Sequence, residues 1–362
     1  MRILFVAPLH SPHTGRWISQ LYGAGWDIHV AGWDEPVHPL LNRATIHRLP
    51  KQRWPFARGA HRFRQFPLLN KVVFPDMSRF LARLIRQIQP DCVHSLKLQE
   101  AYDVLLARKL LGGKLPGKWI YSSWGSDIYL GQRWADQTQI IRGVLEAVDY
   151  YIPDCERDIA LAKKHGFRGE IPGVYPGAGA YNIEEMIRFR SRESVSERRH
   201  IALKGYQTDN HGRALTALEA IRLTADCLRD FDVIVHSAIG TWASYKFPAV
   251  KSLADQIAKS EGVTIRFLPY SPVEDIWALL GSSRISIAIS ASDGTPNSML
   301  EAMVMGAFPI QSDTGATSEW IEDGANGFIV PHDDPEAIAK AIRKAAIDDQ
   351  LVDNASDRNA QL

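Results

Sequence analysis

The sequence is poor in the features that several restricted protein classes require. Its 362 residues hold three cysteines, Cys92, Cys155 and Cys227, spaced far apart. That excludes a disulfide scaffold and thiolate metal-ligand spacing, and predicts reduced thiols in a cytosolic protein. No apolar run approaches the roughly 18 residues a membrane-spanning helix needs. Residues 1–7 are apolar but run into Pro8 and His10, without the long core and cleavage site of a signal peptide. There is no short repeat or low-complexity tract. Clustered Asp or His at metal-ligand spacing is also missing, so neither a metal nor any other cofactor is expected.

Acids are scarce in one window. Over the whole chain 42 Lys+Arg balance 41 Asp+Glu, for a net charge of +1. Between Pro36 and Pro90 stand Arg43, Arg48, Lys51, Arg53, Arg58, Arg62, Arg64, Lys71, Arg79, Arg83 and Arg86, with Asp76 as the only acid. The near-neutral total therefore hides a basic segment offset by an acidic remainder. What is present otherwise is ordinary: 45% hydrophobic and 23% charged residues, which excludes disorder and coiled coil. At roughly 150 residues per domain, the length predicts two domains.

Short apolar runs alternate with helix-period segments. Runs at 2–7, 28–31, 92–94, 119–121 and 150–152 read as strands, with helices near 77–89, 101–111, 140–147 and 159–165 between them. A second alternation has strands at 201–203, 233–235, 265–268, 285–289, 308–310 and 328–330. Its helices lie near 214–228, 249–260, 273–280, 298–305 and 337–346. Strand–helix alternation predicts parallel, doubly wound sheets. The α/β chain divides into a domain over 1–190, a polar linker at 191–199 (SRESVSERR) and a domain over 200–362, which either ends naturally or lacks a closing helix.

Open parallel sheets bind ligands at the carboxyl ends of their strands, and helix N-termini there favour phosphate. Residues 287–305, IAISASDGTPNSMLEAMVM, fit that geometry. A buried strand leads into a loop with Asp293, Gly294, Thr295 and Pro296, and a helix opens near Asn297 and Ser298, either of which can cap it. Glu301 is expected in the first turn. Two carboxylates bracketing an anion site suit sugar hydroxyls, although a plain strand-to-helix turn with an exposed acid has the same pattern.

The run Asp293-Gly-Thr-Pro-Asn-Ser-Met-Leu-Glu301, with Phe308-Pro-Ile310, Gly315 and Ser318 through Pro331, resembles the paired-acid motif of retaining family 4 glycosyltransferases of the GT-B fold. The resemblance is close over 280–335 and implies two Rossmann-like domains facing a central cleft. It implies that Asp293, where the family usually has Glu, contacts the donor sugar, that Glu301 holds the ribose, and that amides of 294–298 hold the diphosphate. Lys204 and Arg213 stand near the family's cationic pair, and Tyr270 near its nucleobase loop. On the acceptor side, the loop with His13, Gly15 and Arg16 looks like the family's glycine-bearing first loop. His94 matches a common histidine, and Trp124 stands where many relatives carry His. Asp127 is a candidate acceptor-positioning catalyst or a helix cap.

The implied reaction transfers a sugar from a nucleotide diphosphate sugar to a carbohydrate or lipid-linked acceptor hydroxyl, with retention, in cell-surface polysaccharide or glycolipid synthesis. The alternatives are a non-catalytic nucleotide-sugar-binding subunit and another GT-B enzyme such as a nucleotide-sugar epimerase. The interleaved cations and aromatics over 43–86 predict contact of a cytoplasmic protein with the inner membrane face or with a lipid-diphosphate-linked acceptor, the alternative being a solvated basic face paired with acids of the other domain. No nucleic-acid module accompanies them.

Overall fold

A computed structural model describes residues 1–49, 76–177, 179, 181–238 and 244–362. The chain forms two compact units, Met1–Ala180 and Tyr181–Leu362.

The first unit is built on β1 (Arg2–Val6), β2 (Asp27–Trp33), β3 (Thr45–Leu49), β4 (Cys92–Leu96), β5 (Lys118–Ser122) and β6 (Tyr150–Ile152). All pair in parallel in the order β3-β2-β1-β4-β5-β6. Leu4 and Val6 join a core with α2 (Met77–Ile88), α3 (Leu98–Leu110) and α4 (Ala135–Leu145), which α5 (Glu156–Lys164) extends through Ala162. Ile3 and Phe5 face the other way, with Ile18 of α1 (Pro12–Ser19). Burial on both faces explains why the strands read as continuous apolar runs. β3 escapes that pattern because it is an edge strand with Thr45 and Arg48 exposed.

The second unit repeats the topology with β7 (His200–Lys204), β8 (Asp232–His236), β9 (Thr264–Phe267), β10 (Ser283–Ala288), β11 (Phe308–Ser312) and β12 (Phe328–Val330), ordered β12-β11-β10-β7-β8-β9. Its helices are α6 (Ala214–Leu223), α7 (Phe247–Glu261), α8 (Val273–Ser282), α9 (Asn297–Met305), α10 (Pro335–Ile347) and α11 (Asp349–Asn359). In each sheet the first strand lies beside the fourth, β1 by β4 and β7 by β10. The connections diverge there, and that switch point is where such sheets bind ligands.

Two boundaries differ from the sequence reading. The polar stretch 191–199 is part of the second unit, which begins near Tyr181. Val195 is buried in its core, and the buried Arg198 guanidinium donates to the carbonyls of Ser283 and Met305, both at 3.2 Å. Buried arginines of this kind are invisible to a composition-based linker assignment. The second difference is α11, where the sequence showed only a polar end. Val352 and Ala355 pack into the core. The fully buried Arg284 holds the helix start, donating to Asp349 Oδ1 at 2.6 Å and to the Ser196 and Ala345 carbonyls at 2.7 and 2.8 Å.

Candidate functional site

In the second unit the switch point lies between the loop after β7 and the loop after β10. The two are stitched together. Arg213 N–H donates to the Ile289 carbonyl at 3.0 Å, Ala291 N–H to the His211 carbonyl at 2.8 Å, and Gly212 forms an antiparallel bridge with Ser290. Gly212 is required at this crossing because a Cβ would run into the Tyr206 carbonyl. Asp293 follows at once, its Oδ1 accepting the Gly294 N–H at 2.9 Å. The Gly294 carbonyl in turn accepts from Ala316 N–H at 2.9 Å, fixing the turn from the β11 side.

The chain then enters α9. Asn297 and Ser298 are its first residues rather than its caps: Pro296 holds the N-cap position in extended conformation, and no side chain caps the helix. Ser298 Oγ instead accepts from Lys204 Nζ at 3.2 Å, so the end of β7 brings a cation to the start of α9. Thr295 is buried in the turn. The Asn297 side-chain oxygen is enclosed without a hydrogen-bond partner among the described residues. Glu301 lies beyond the first turn, where Tyr181 hydroxyl donates to its Oε1 at 2.9 Å. The structure thus gathers Lys204, Ser298 and the uncapped N-terminus of α9, with Asp293 before it and Glu301 along it. Dipole and cation both favour an anion there.

Arg213 is placed differently from Lys204. Its Nη1 donates to the carbonyls of Thr208, His211 and Gly212 at 3.1–3.2 Å, which ties the guanidinium to its own loop. Tyr270 lies after β9 and is 76% exposed.

In the first unit, Gly15 is buried in α1, where a Cβ would collide with the His38 ring. His13 Nδ1 lies 3.0 Å from Arg16 Nη2, and the His13 ring meets Trp124 edge-on at 5.4 Å. His94 is inside β4, packed against Phe5 and Trp17, with Nε2 2.7 Å from Ser122 Oγ. Burial drives its pKa down to about 3, so the ring is neutral. Asp127 makes hydrogen bonds that fit a helix-capping position. Its Oδ2 accepts from Leu98 N–H at 2.8 Å at the start of α3, from Trp124 N–H at 2.9 Å and from Tyr121 hydroxyl at 3.2 Å. Burial nevertheless raises its pKa to about 6, against the pull of these bonds. His13, Arg16 and Trp124 are brought together by these contacts, with Asp127 holding the Trp124 N–H, whereas His94 contacts Phe5, Trp17 and Ser122 instead.

Three residues of the second unit carry no motif in the sequence. Tyr181 reaches Glu301 across 120 positions. Gln207 Oε1 accepts the Leu215 N–H at 3.0 Å and caps α6. His211 is held against the Asp293 turn by its own carbonyl.

Of the basic window, Lys51, Arg53, Arg58, Arg62, Arg64 and Lys71 lie outside the described residues. Arg79, Arg83 and Arg86 share the exposed face of α2 at i, i+4, i+7 spacing. Arg43 lies over the Tyr22 ring at 5.2 Å, and Arg48 approaches Asp34 at 3.6 Å. Among the described residues no helix is long and apolar enough to cross a membrane.

The family described as glycosyl transferases group 1 matches residues 206–348, and that described as glycosyl transferase 4-like matches residues 2–152. A search of curated proteins finds no significant match. Among solved structures, HepE of Anabaena with UDP and glucose superposes with TM-score 0.71 at 15% identity, covering 100% of this chain and 95% of that one. A sucrose-phosphate synthase of Thermosynechococcus elongatus gives 0.74 at 11% identity, covering 100% and 93%. A glycosyltransferase of Rickettsia africae gives 0.70 at 16% identity, covering 99% and 92%. The fold is that of the GT-B structures.

Proposed function

The chain belongs to the group 1 glycosyltransferases, and from that premise we propose that it moves a sugar from a nucleoside diphosphate sugar to an acceptor hydroxyl with retention of anomeric configuration. The observation that carries the reading is the start of α9: a helix N-terminus without a side-chain cap, with Lys204 Nζ at Ser298. With Asp293 before the helix and Glu301 beyond its first turn, that arrangement suits a diphosphate between two hydroxyl-bearing sugars. The helix dipole and Lys204 stabilise the negative charge that develops on the departing diphosphate, the largest single contribution expected in such a reaction. Asp293 orients the donor sugar and Glu301, steadied by Tyr181, the ribose. The family membership and the UDP and glucose bound by the Anabaena neighbour support a nucleotide sugar as donor.

The test is a thermal-shift panel of UDP, GDP and ADP, each alone and as its glucose conjugate, followed by transfer assays with Asp293→Ala. Binding to the folded state raises stability, so one nucleotide series is expected to shift the wild type. Asp293→Ala is expected to lose about 100-fold or more in transfer rate while still folding. Binding without any transfer by the wild type would favour the non-catalytic subunit instead.

The acceptor reading places a carbohydrate or lipid-linked hydroxyl beside His13, Arg16 and Trp124 of the first unit, in cell-surface polysaccharide or glycolipid synthesis. The exposed arginine face of α2 supports peripheral association with an anionic surface on the cytoplasmic side, each cation contributing about 1 kcal/mol near such a surface. Co-sedimentation with anionic vesicles and none with neutral ones is expected; equal binding to both would sink the membrane reading.

A further inference from the structure

We propose that His211 is a specificity-determining residue for the donor sugar, acting as a partner of Asp293 in reading its hydroxyl groups. The inference rests on the nucleotide-sugar reading above and adds to it a side chain that neither the motif nor the family match assigns.

The loop after β7 is pinned to the loop after β10 by consecutive backbone contacts centred on His211. Ala291 N–H meets the His211 carbonyl at 2.8 Å, Gly212 bridges Ser290, and Arg213 N–H meets the Ile289 carbonyl at 3.0 Å. His211 N–H is itself held by Thr208 Oγ1 at 2.8 Å, and Arg213 Nη1 by the His211 carbonyl at 3.2 Å. The residue is thereby fixed opposite Ala291, two positions before Asp293, on a backbone with little freedom to move away. The imidazole is half-buried and feels the Asp293 charge. Tyr206, from the same loop, feels it too.

Chemistry gives the pair a division of labour. A carboxylate only accepts hydrogen bonds, whereas a neutral imidazole both donates and accepts. Burial lowers the His211 pKa, opposed by Asp293, so the ring is neutral at physiological pH. Asp293 is one methylene shorter than the Glu of the resembled motif, so it reaches less far. An imidazole rigidly held on the neighbouring loop supplies the second, complementary contact. Sugars differ in the direction of single hydroxyls, and a site built to hydrogen-bond one such group discriminates strongly against its absence.

The experiment compares the wild type, His211→Ala, His211→Gln, Asp293→Asn and the double variant His211→Ala/Asp293→Asn. Affinities are measured for UDP, GDP and ADP alone and as glucose conjugates, with the pair that stabilises the wild type carried into kinetics. His211→Ala is expected to leave the free diphosphate affinity within twofold and to weaken the nucleotide sugar about 10-fold, one hydrogen bond's worth. Gln, which also donates and accepts, is expected to recover part of the loss. The double variant is expected to fall by less than the product of the single losses, because the two side chains act on one group. Equal losses for diphosphate and nucleotide sugar would show that His211 only supports the loop and would overturn the proposal, as would an unchanged sugar increment. A wild type that binds no nucleotide of the panel would instead overturn the transferase reading on which this rests.

Discussion

The two units share one topology and bring four helix N-termini to their switch points, but they treat those termini differently. In the first unit Ser11 Oγ accepts from His13 N–H at the start of α1, at 3.2 Å, and Asp127 Oδ2 from Leu98 N–H at the start of α3, at 2.8 Å. In the second, Gln207 caps α6 through Leu215 N–H at 3.0 Å, while α9 begins at Pro296 with no side-chain cap. A cap is worth about 1 kcal/mol, so its absence at α9 is a cost the fold carries. The contrast with α3 is sharper still: there the protein's own carboxylate occupies the place an anionic ligand would take. The first unit fills the start of α3 with Asp127, and the second leaves the start of α9 without a side-chain cap. The proposed division between an anionic donor on one unit and a hydroxyl acceptor on the other builds on that difference.

The most direct way to break the contrast is to give α9 the carboxylate that α3 has. Pro296→Asp supplies an N-cap with good geometry and is expected to leave stability unchanged or raise it by about 1 kcal/mol. It also sets a negative charge within about 4 Å of a bound diphosphate, costing on the order of 3–4 kcal/mol and therefore at least 100-fold in affinity. Calorimetric titration of the stabilising diphosphate against the variant checks this. Retained affinity in a folded variant would mean that the diphosphate does not sit at α9.

The reverse change sharpens the comparison with a smaller effect. Asp127→Ala leaves the Leu98 and Trp124 amides and the Tyr121 hydroxyl without their acceptor. A loss of about 2 kcal/mol is expected in urea unfolding, with diphosphate affinity unchanged within twofold because the donor elements belong to the other unit. A stable Asp127→Ala with slow transfer would return Asp127 to the catalytic role the sequence left open.

Much of this was legible from the chain. Both Rossmann-like sheets were readable because parallel strands buried on two faces leave unbroken apolar runs, and the Asp293–Glu301 loop because its residues are contiguous. What escaped depended on long-range contacts or on weak local patterns. β3 alternates as an edge strand does. Residues 191–199 look like a linker until Arg198 is seen buried under Ser283 and Met305. Asn297 and Ser298 have capping chemistry, but Pro296 already holds the cap position, so propensity lost to local backbone geometry. Arg213 matched a cationic position in the motif yet turns its Nη1 to its own loop carbonyls. Gln207, His211 and Tyr181 gain their roles only through partners elsewhere in the fold, which no spacing rule reports.

The first unit also holds buried carboxyl groups that titrate unlike exposed ones such as its own Asp27, which Arg2 lowers, and this gives the gentlest test. In the second unit Asp209 and Asp226 are held below the usual carboxylate range by hydrogen bonds from Lys246 and Arg343. In the first unit burial pushes Glu100 up to about 8, against the pull of Lys97, and Asp103 up to about 7, aided by Asp76. Glu100 Oε2 is enclosed with no hydrogen-bond partner among the described residues, which fits a carboxyl that prefers its proton. An acid whose folded pKa exceeds its unfolded value binds more protons folded than unfolded, so stability falls as pH rises between the two values. His94, with its pKa at about 3, acts in the opposite direction but only below its ordinary value near 6.5. Between pH 7 and 8.5 the carboxyls therefore dominate, and unfolding free energy is expected to drop by about 1 kcal/mol on account of Glu100. Glu100→Gln, which keeps the shape and removes the titration, is expected to flatten that slope and to be the more stable protein at pH 8.5. Thermal unfolding of both proteins at pH 7.0 and 8.5 checks it. Parallel slopes would show that Glu100 ionises in the fold without cost, and would remove the contrast between buried and exposed carboxyl groups.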